Sequence, residues 1–289
     1  MDDGSDPLVC LVGTAPPRRC GIATFTDDLL HALTGAAPDR AAVQVALTDE
    51  GGSYDYGPDV VFEVRAGALQ DYRDAAAFLN SGDVDVLCVQ HEFGIFGGVA
   101  GAHLDELLEH VRTPVVTTLH TVLADPSPTL RAATRRVAER SDVLVVLAEQ
   151  AVDLLEAGCG IDRDQVRVIP HGVPVGPHLD QAVAKESIVA TGRTVLLTFG
   201  LLSPGKGVEV VIEALPRIVA AHPDVLYVVL GATHPHILRD HGDAYRDGLH
   251  ALAERLGVAA HVRFVDRFVD LDELRRHLAA SDLYITPYH

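Results

Sequence analysis

Between Gly200 and Gly207 the chain reads Gly-Leu-Leu-Ser-Pro-Gly-Lys-Gly, and those residue types suit a phosphate group. An apolar run at Val195–Phe199 leads into this loop, and an amphipathic run leads out of it. A glycine-rich turn from a strand into a helix start offers backbone N–H groups and the positive end of a helix to an anion. Lys206 adds a mobile point charge. The chain has two lysines, Lys185 and Lys206, and otherwise uses arginine; the two cations are not interchangeable, because lysine is a compact charge on a flexible stem. The loop reads as a holder for a diphosphate, with Gly205, Lys206 and Gly207 as its contacts. An ordinary turn with a solvated lysine would share these features. A P-loop would share the first seven positions, Gly200-x4-Gly205-Lys206, but Gly207 lacks the hydroxyl that would hold Mg²⁺. The run at Val225–Gly231 also ends without the acidic residue that would assist it.

A length of 289 residues accommodates two domains, and 48% hydrophobic residues can fill their cores. The net charge of −18 argues against nucleic acid or an anionic membrane surface as a partner. An anionic ligand would need a local positive spot, for which Arg18, Arg19 and Lys206 are the candidates. No apolar run reaches membrane-spanning length, so no membrane span is expected, and the acidic stretch MDDGSDPLVC lacks the charged n-region and apolar h-region of a signal peptide. Four cysteines stand apart with no C-x-x-C spacing, so a cytoplasmic, disulfide-free protein is expected. Fifteen histidines include His234, His236 and His241 close together, but no metal-binding spacing such as H-E-x-x-H occurs, and no metal is expected.

Along the chain, apolar strands alternate with amphipathic helices. Strands are expected at 8–14, 43–48, 60–64, 84–90, 115–119, 143–147 and 166–169, with helices at 22–33, 72–79, 129–139 and 150–157 and one ending near Val111. Continuous apolar strands between helices predict α/β architecture with parallel sheets covered on both faces. Residues 176–193, with prolines, glycines and mixed charge, read as a linker between a first domain (1–175) and a second (194–289). The second domain restarts the period with strands at 195–199, 225–230, 262–265 and 283–286. It holds about four strands, fewer than a full doubly wound domain, so the chain is expected to be truncated.

In open parallel sheets ligands bind beyond the carboxyl ends of the strands. His91, His120 and His171 each follow an apolar strand, which puts all three on one rim. Any one of them could simply cap a strand; three together point to a site. Gly21 opens a helix on the same rim, after the loop Thr14–Cys20, and Glu92 is the carboxylate beside His91.

The segments PRRCGIATF (Pro17–Phe25), QHEFG (Gln90–Gly94), TLHT (Thr118–Thr121), VIPHGV (Val168–Val173), FGLLSPGKG (Phe199–Gly207) and ITPY (Ile285–Tyr288) occur in an order and spacing that resembles retaining nucleotide-sugar glycosyltransferases of the group 1, or family 4, kind. The resemblance spans nearly the whole chain. It implies a GT-B fold of two Rossmann-like domains, the second incomplete here, with the donor held mainly by the second domain and the acceptor by the first, across a cleft. It implies that Lys206 neutralises the donor phosphate, that Gly21 lies against the same diphosphate, and that His120 contacts the transferred sugar. His91, Glu92 and His171 would stand on the acceptor side. It implies a nucleotide sugar as co-substrate, an unidentified glycosyl acceptor, no cofactor and no essential metal. The family's arginine after the second-domain glycine is Leu201 here, and its paired glutamates would lie beyond residue 289, so this form is expected to lack part of its donor site. The competing expectations are a non-catalytic binding protein of the same descent, a sugar-nucleotide epimerase or phosphorylase-like enzyme on the same fold and, more distantly, a P-loop NTPase.

Overall fold

The computed structural model describes residues 7–37, 42–173 and 175–288. The chain forms two compact units, residues 1–173 and 174–289, and each builds its own parallel sheet.

The first unit runs β1 (Val9–Gly13), α1 (Gly21–Ala36), β2 (Val43–Thr48), β3 (Val60–Arg65), α2 (Leu69–Ser81), β4 (Val86–His91), α3 (Leu104–His110), β5 (Val115–Leu119), α4 (Pro128–Glu139), β6 (Val143–Val146), α5 (Glu149–Cys159) and β7 (Val166–Val168). The strand order is β3-β2-β1-β4-β5-β6-β7, and every pairing is parallel. Side chains alternate across β1, so the strand feeds two cores. Cys10 and Val12 pack with Tyr72, Leu107, Val137 and Leu155 from α2, α3, α4 and α5. Leu11 packs with Leu30 of α1 on the opposite face. Strands buried on both faces must be apolar throughout, which is why they were legible as unbroken runs. The order reverses between β1 and β4, and in open parallel sheets ligands bind beyond the carboxyl ends of the strands at such a switch point.

The second unit contains α6 (Gln181–Ser187), β8 (Thr194–Phe199), α7 (Val208–Ala221), β9 (Val225–Leu230), α8 (Pro235–His241), α9 (Ala244–Arg255), β10 (Val262–Val265), α10 (Leu271–Ala280) and β11 (Leu283–Tyr284). Its order, β10-β9-β8-β11, is again parallel, with a switch point between β8 and β11. Leu196, Tyr227 and Val229 pack on Ile212 and Leu215 of α7 and on Leu249 of α9. Val195, Leu197 and Val228 face the other way, with Ala190 and Leu274.

Three expectations change. The segment 176–193 is not an open linker. Asp180 caps α6 by accepting from the amides of Ala182 and Val183 at 2.9 and 3.1 Å, and Lys185 pairs with Asp282 at 2.7 Å. The mixed charge that suggested a linker serves as a cap and an ion pair. Second, the helix expected to follow the glycine-rich loop after β4 starts only at Leu104, because Gly98, Ala100 and Gly101 take positive φ and break it. Third, β11 covers two residues rather than four. Beyond it the chain keeps to β8 through the Ile285 amide on Leu197 O at 2.8 Å and the Thr198 hydroxyl on Ile285 O at 2.8 Å.

Candidate functional site

In the second unit the loop leaving β8 is stitched to the loop leaving β9. The Leu202 amide donates to Ala232 O at 2.8 Å and the His234 amide to Leu202 O at 2.9 Å, with Leu202 itself buried. A single turn at Pro204–Lys206 follows, and Gly207, at φ +62°, turns the chain into α7. No side chain caps α7, so its first turn keeps its positive end open. The Gly207 amide itself donates to Pro204 O at 3.1 Å. That amide is thus already engaged within the turn, while Gly205 stays exposed beside it.

Two glycines decide where Lys206 goes. A side chain at Gly231 (φ +139°) would lie 2.1 Å from Gly200 O, so the β8 and β9 ends can touch backbone to backbone. A side chain at Gly200 (φ +126°) would lie 3.1 Å from Lys206 Nζ. The Lys206 stem thus folds back over the end of β8, at the switch point. Its ammonium donates to the Tyr288 hydroxyl at 2.8 Å and stands 4.2 Å from the centre of that ring. Beneath it, Tyr227 donates to the Thr198 hydroxyl at 2.9 Å, and burial pushes the Tyr227 phenol up to about 12. Behind the β9 and β10 ends, the buried Arg246 donates to Gly231 O at 3.1 Å and pairs with Asp266. Burial lowers the Arg246 pKa, so the guanidinium is a structural brace that costs desolvation.

In the first unit the rim is built around Phe25, on α1. Its ring meets His120 edge-on at 4.7 Å and His171 edge-on at 5.3 Å. His120 is half-buried; its Nε2 lies 3.0 Å from Gln90 Oε1, and its amide donates to His91 O at 3.0 Å. Burial first, and His171 second, hold His120 down to about 4, so it is neutral at neutral pH. His171 is exposed. Glu92 is half-buried and engaged at both oxygens, accepting from Thr121 Oγ1 at 2.5 Å and from the Phe93 amide at 3.0 Å. Cys20 caps α1, its sulfur accepting from the Ala23 amide at 3.3 Å and lying 3.1 Å from Thr14 Oγ1. Gly21, the next residue, is exposed, and a Cβ placed there would meet nothing within 4 Å.

The expected rim of three imidazoles is only partly assembled. His120 and His171 share Phe25. His91 ends β4 beside them, but it is 2% exposed, packed on Phe93 at 5.0 Å and on Phe96 at 6.0 Å. Its apolar pocket, and next His120, push it down to about 4 and keep it out of reach of a ligand. Arg18, a candidate for the positive spot, donates to Leu47 O at 3.2 Å and lies 3.7 Å from Asp49; it fastens the loop to β2. Arg19 stays exposed. Phe25, Gln90, Thr121 and Tyr288 stood in the segments quoted for the resemblance but were given no role of their own, and Arg246 was not noticed. Gln90 did leave a signal, a polar residue closing an apolar strand. Among the described residues no helix is long and apolar enough to cross a membrane, and no group of three or more His, Cys, Asp or Glu converges to hold a metal.

Residues 21–176 match the family model for Glycosyltransferase Family 4, and residues 180–289 match that for Glycosyl transferases group 1. A D-inositol 3-phosphate glycosyltransferase 2 of Catenulispora acidiphila is 31% identical over 172 residues, covering 56% of this chain and 39% of that protein. A phosphatidyl-myo-inositol mannosyltransferase of Mycobacterium tuberculosis is 34% identical over 119 residues, 41% of this chain and 28% of that protein. The matches to these relatives span less than half of their length. Among solved structures, a sucrose-phosphate synthase of Thermosynechococcus elongatus superposes with a TM-score of 0.77 at 16% identity, covering 98% of this chain and 76% of that one. Anabaena HepE in complex with UDP and glucose superposes with a TM-score of 0.70 at 18% identity, covering 96% and 73%. These likenesses are of fold, the two-sheet GT-B kind.

Proposed function

The chain belongs to Glycosyltransferase Family 4, and from that premise we propose that it transfers a sugar from a nucleotide-sugar donor to an acceptor hydroxyl with retention of configuration. The observation that carries this reading is the placement of the Lys206 ammonium over the end of β8, beside the open start of α7. A leaving diphosphate needs a cation and N–H groups set out in advance, and electrostatic stabilisation of this kind is usually the largest single contribution to such a rate. In this reading Gly205, Lys206 and Gly207 form the diphosphate loop, and Gly21 gives the donor room on the first unit. Lys206 does the charge work, so neither a cofactor nor a metal is required. The four cysteines are all free thiols, which suits a cytoplasmic setting.

The chemistry is a substitution at the anomeric carbon. The bond to the diphosphate oxygen breaks and the bond to the acceptor oxygen forms on the same face. The acceptor proton leaves on the departing phosphate oxygen. His120, neutral at working pH, serves as a hydrogen-bonding group toward the sugar rather than as a cation. Glu92 with Thr121, and His171 beside Phe25, line the rim for the acceptor, and His91 supports them from behind. The relatives' names point to inositol-containing acceptors as the first to try.

The test measures thermal stabilisation by UDP-, GDP- and ADP-sugars, then transfer to inositol 3-phosphate and phosphatidylinositol, with and without EDTA. We expect one nucleotide class to bind and turnover to survive EDTA. Binding of none of them would favour the non-catalytic alternative; turnover lost to EDTA would overturn the metal-free reading.

A further inference from the structure

Gln90 is fully buried, a polar residue one position before the end of β4. Its amide nitrogen lies 3.4 Å from Cys88 Sγ and its amide oxygen 3.0 Å from His120 Nε2. Gly13 on the neighbouring strand leaves room for this side chain, since a Cβ there would lie 3.1 Å from Gln90 Cβ and 3.4 Å from its Cγ. An amide NH₂ can only donate and an amide oxygen can only accept. Oriented with its nitrogen toward the sulfur, the amide turns its oxygen to His120, and that pairing takes a proton on Nε2. The tautomer of a neutral imidazole is set by the hydrogen bond that one nitrogen makes, and this leaves the other bare. Phe25 supports the same orientation by packing edge-on against the ring.

We propose that Gln90 is a positioning residue that locks His120 in its Nε2-protonated tautomer, so that the bare Nδ1 accepts a hydrogen bond from a ligand hydroxyl. The preference for a donor group rests on the sugar-transfer reading above; the tautomer lock does not. The consequence is a specificity rule. A sugar whose hydroxyl at that position is methylated or missing leaves Nδ1 unmet, and transfer drops about tenfold, the worth of one hydrogen bond. The ionisable groups around His120 are His171 across Phe25, His91 behind it, and Glu92, which is bound to the neighbouring Thr121.

The experiment is nitrogen NMR of the full chain labelled at histidine, with His120→Asn identifying the resonances. The expected spectrum shows His120 with a protonated Nε2 and a bare Nδ1, and Gln90→Leu turns this into an averaged pattern. A protonated Nδ1 in the parent chain, or an unaltered pattern in Gln90→Leu, overturns the lock. Should Gln90→Leu not fold, Gln90→Glu keeps the shape and places a carboxyl against Nε2; His120 should then titrate at least about one pH unit higher, and an unmoved titration overturns the lock. Donors O-methylated at one hydroxyl at a time test the second half. One position should cost about tenfold in kcat/KM in the parent chain and nothing further in Gln90→Leu. Equal use of every methylated donor overturns the hydroxyl preference while the lock stands. Failure of every donor to bind removes the sugar-transfer reading and the preference with it, and leaves the NMR result intact.

Discussion

The Lys206 ammonium donates to the Tyr288 hydroxyl at 2.8 Å, and the two residues come from opposite sides of the switch point, one after β8 and the other after β11. The phenol therefore holds the cation over the end of β8, where the proposed function needs it to meet a diphosphate. Lys206→Met removes the charge and should cost about 3–4 kcal/mol of transition-state stabilisation, on the order of a hundredfold or more in kcat/KM. Tyr288→Phe keeps the ring face and removes only the hydroxyl, for a loss of about 1 kcal/mol. Steady-state kinetics with the nucleotide sugar that binds measures both. Equal effects, or none from Lys206→Met, would take the lysine out of the donor site.

His91, behind the rim, and His120, on it, make a pH prediction. His91 and His120 are each held down to about 4, by burial first, whereas an unfolded histidine titrates near about 6.5. Between those values the unfolded chain binds protons that the native state refuses. The contribution is intact above about pH 6.5, is lost progressively as pH falls toward about 4, and levels off below. For the fully buried His91 the slope is at most about 1.4 kcal/mol per pH unit; His120, partly solvated, adds less. Urea unfolding at several pH values between 7.5 and 4.5, compared with His91→Leu, measures it. The variant should show the flatter curve, and parallel curves would mean that His91 is protonated in the native state.

Much of the architecture was visible in the residues because it follows from alternation. Runs such as Val225–Leu230, buried throughout, can only be strands covered on both faces, and their spacing by helices implies the parallel sheet. What escaped were features set by single polar contacts. Asp180 and Lys185 look like linker residues until the first caps α6 and the second meets Asp282, nearly a hundred residues later. The rule that ligands gather at strand ends found the positions of His91, His120 and His171. It could not say that β4 carries the His91 ring inward while α1 slides Phe25 between the other two, since orientation depends on packing between distant segments. Gln90 and Tyr288 stood in quoted segments without a role for the same reason: each matters through a partner that sequence distance conceals.

Glycines separate sites kept clear by the fold from sites kept clear for something else. At Gly231 a Cβ would strike the backbone oxygen of Gly200 at 2.1 Å, at a φ of +139°. Gly231→Ala should lose about 2–4 kcal/mol of stability and drag Gly200, and with it Lys206, out of place. At Gly21 a Cβ would meet nothing within 4 Å, and the residue begins α1 with an ordinary φ. Gly21→Ala should keep the stability of the parent chain or gain a few tenths of a kcal/mol, since alanine suits a helix better. Within the protein the added methyl would touch nothing, so on the proposed function only the donor would meet it. We expect Gly21→Ala to unfold at the same urea concentration or slightly above it while its affinity for the nucleotide sugar falls about tenfold or more, as a clash with a tightly placed phosphate implies. Urea unfolding and calorimetric titration on the two variants give both numbers. A Gly21→Ala protein with unchanged affinity would place the diphosphate elsewhere, and one that unfolds early would mean that α1 needs its glycine for reasons of its own.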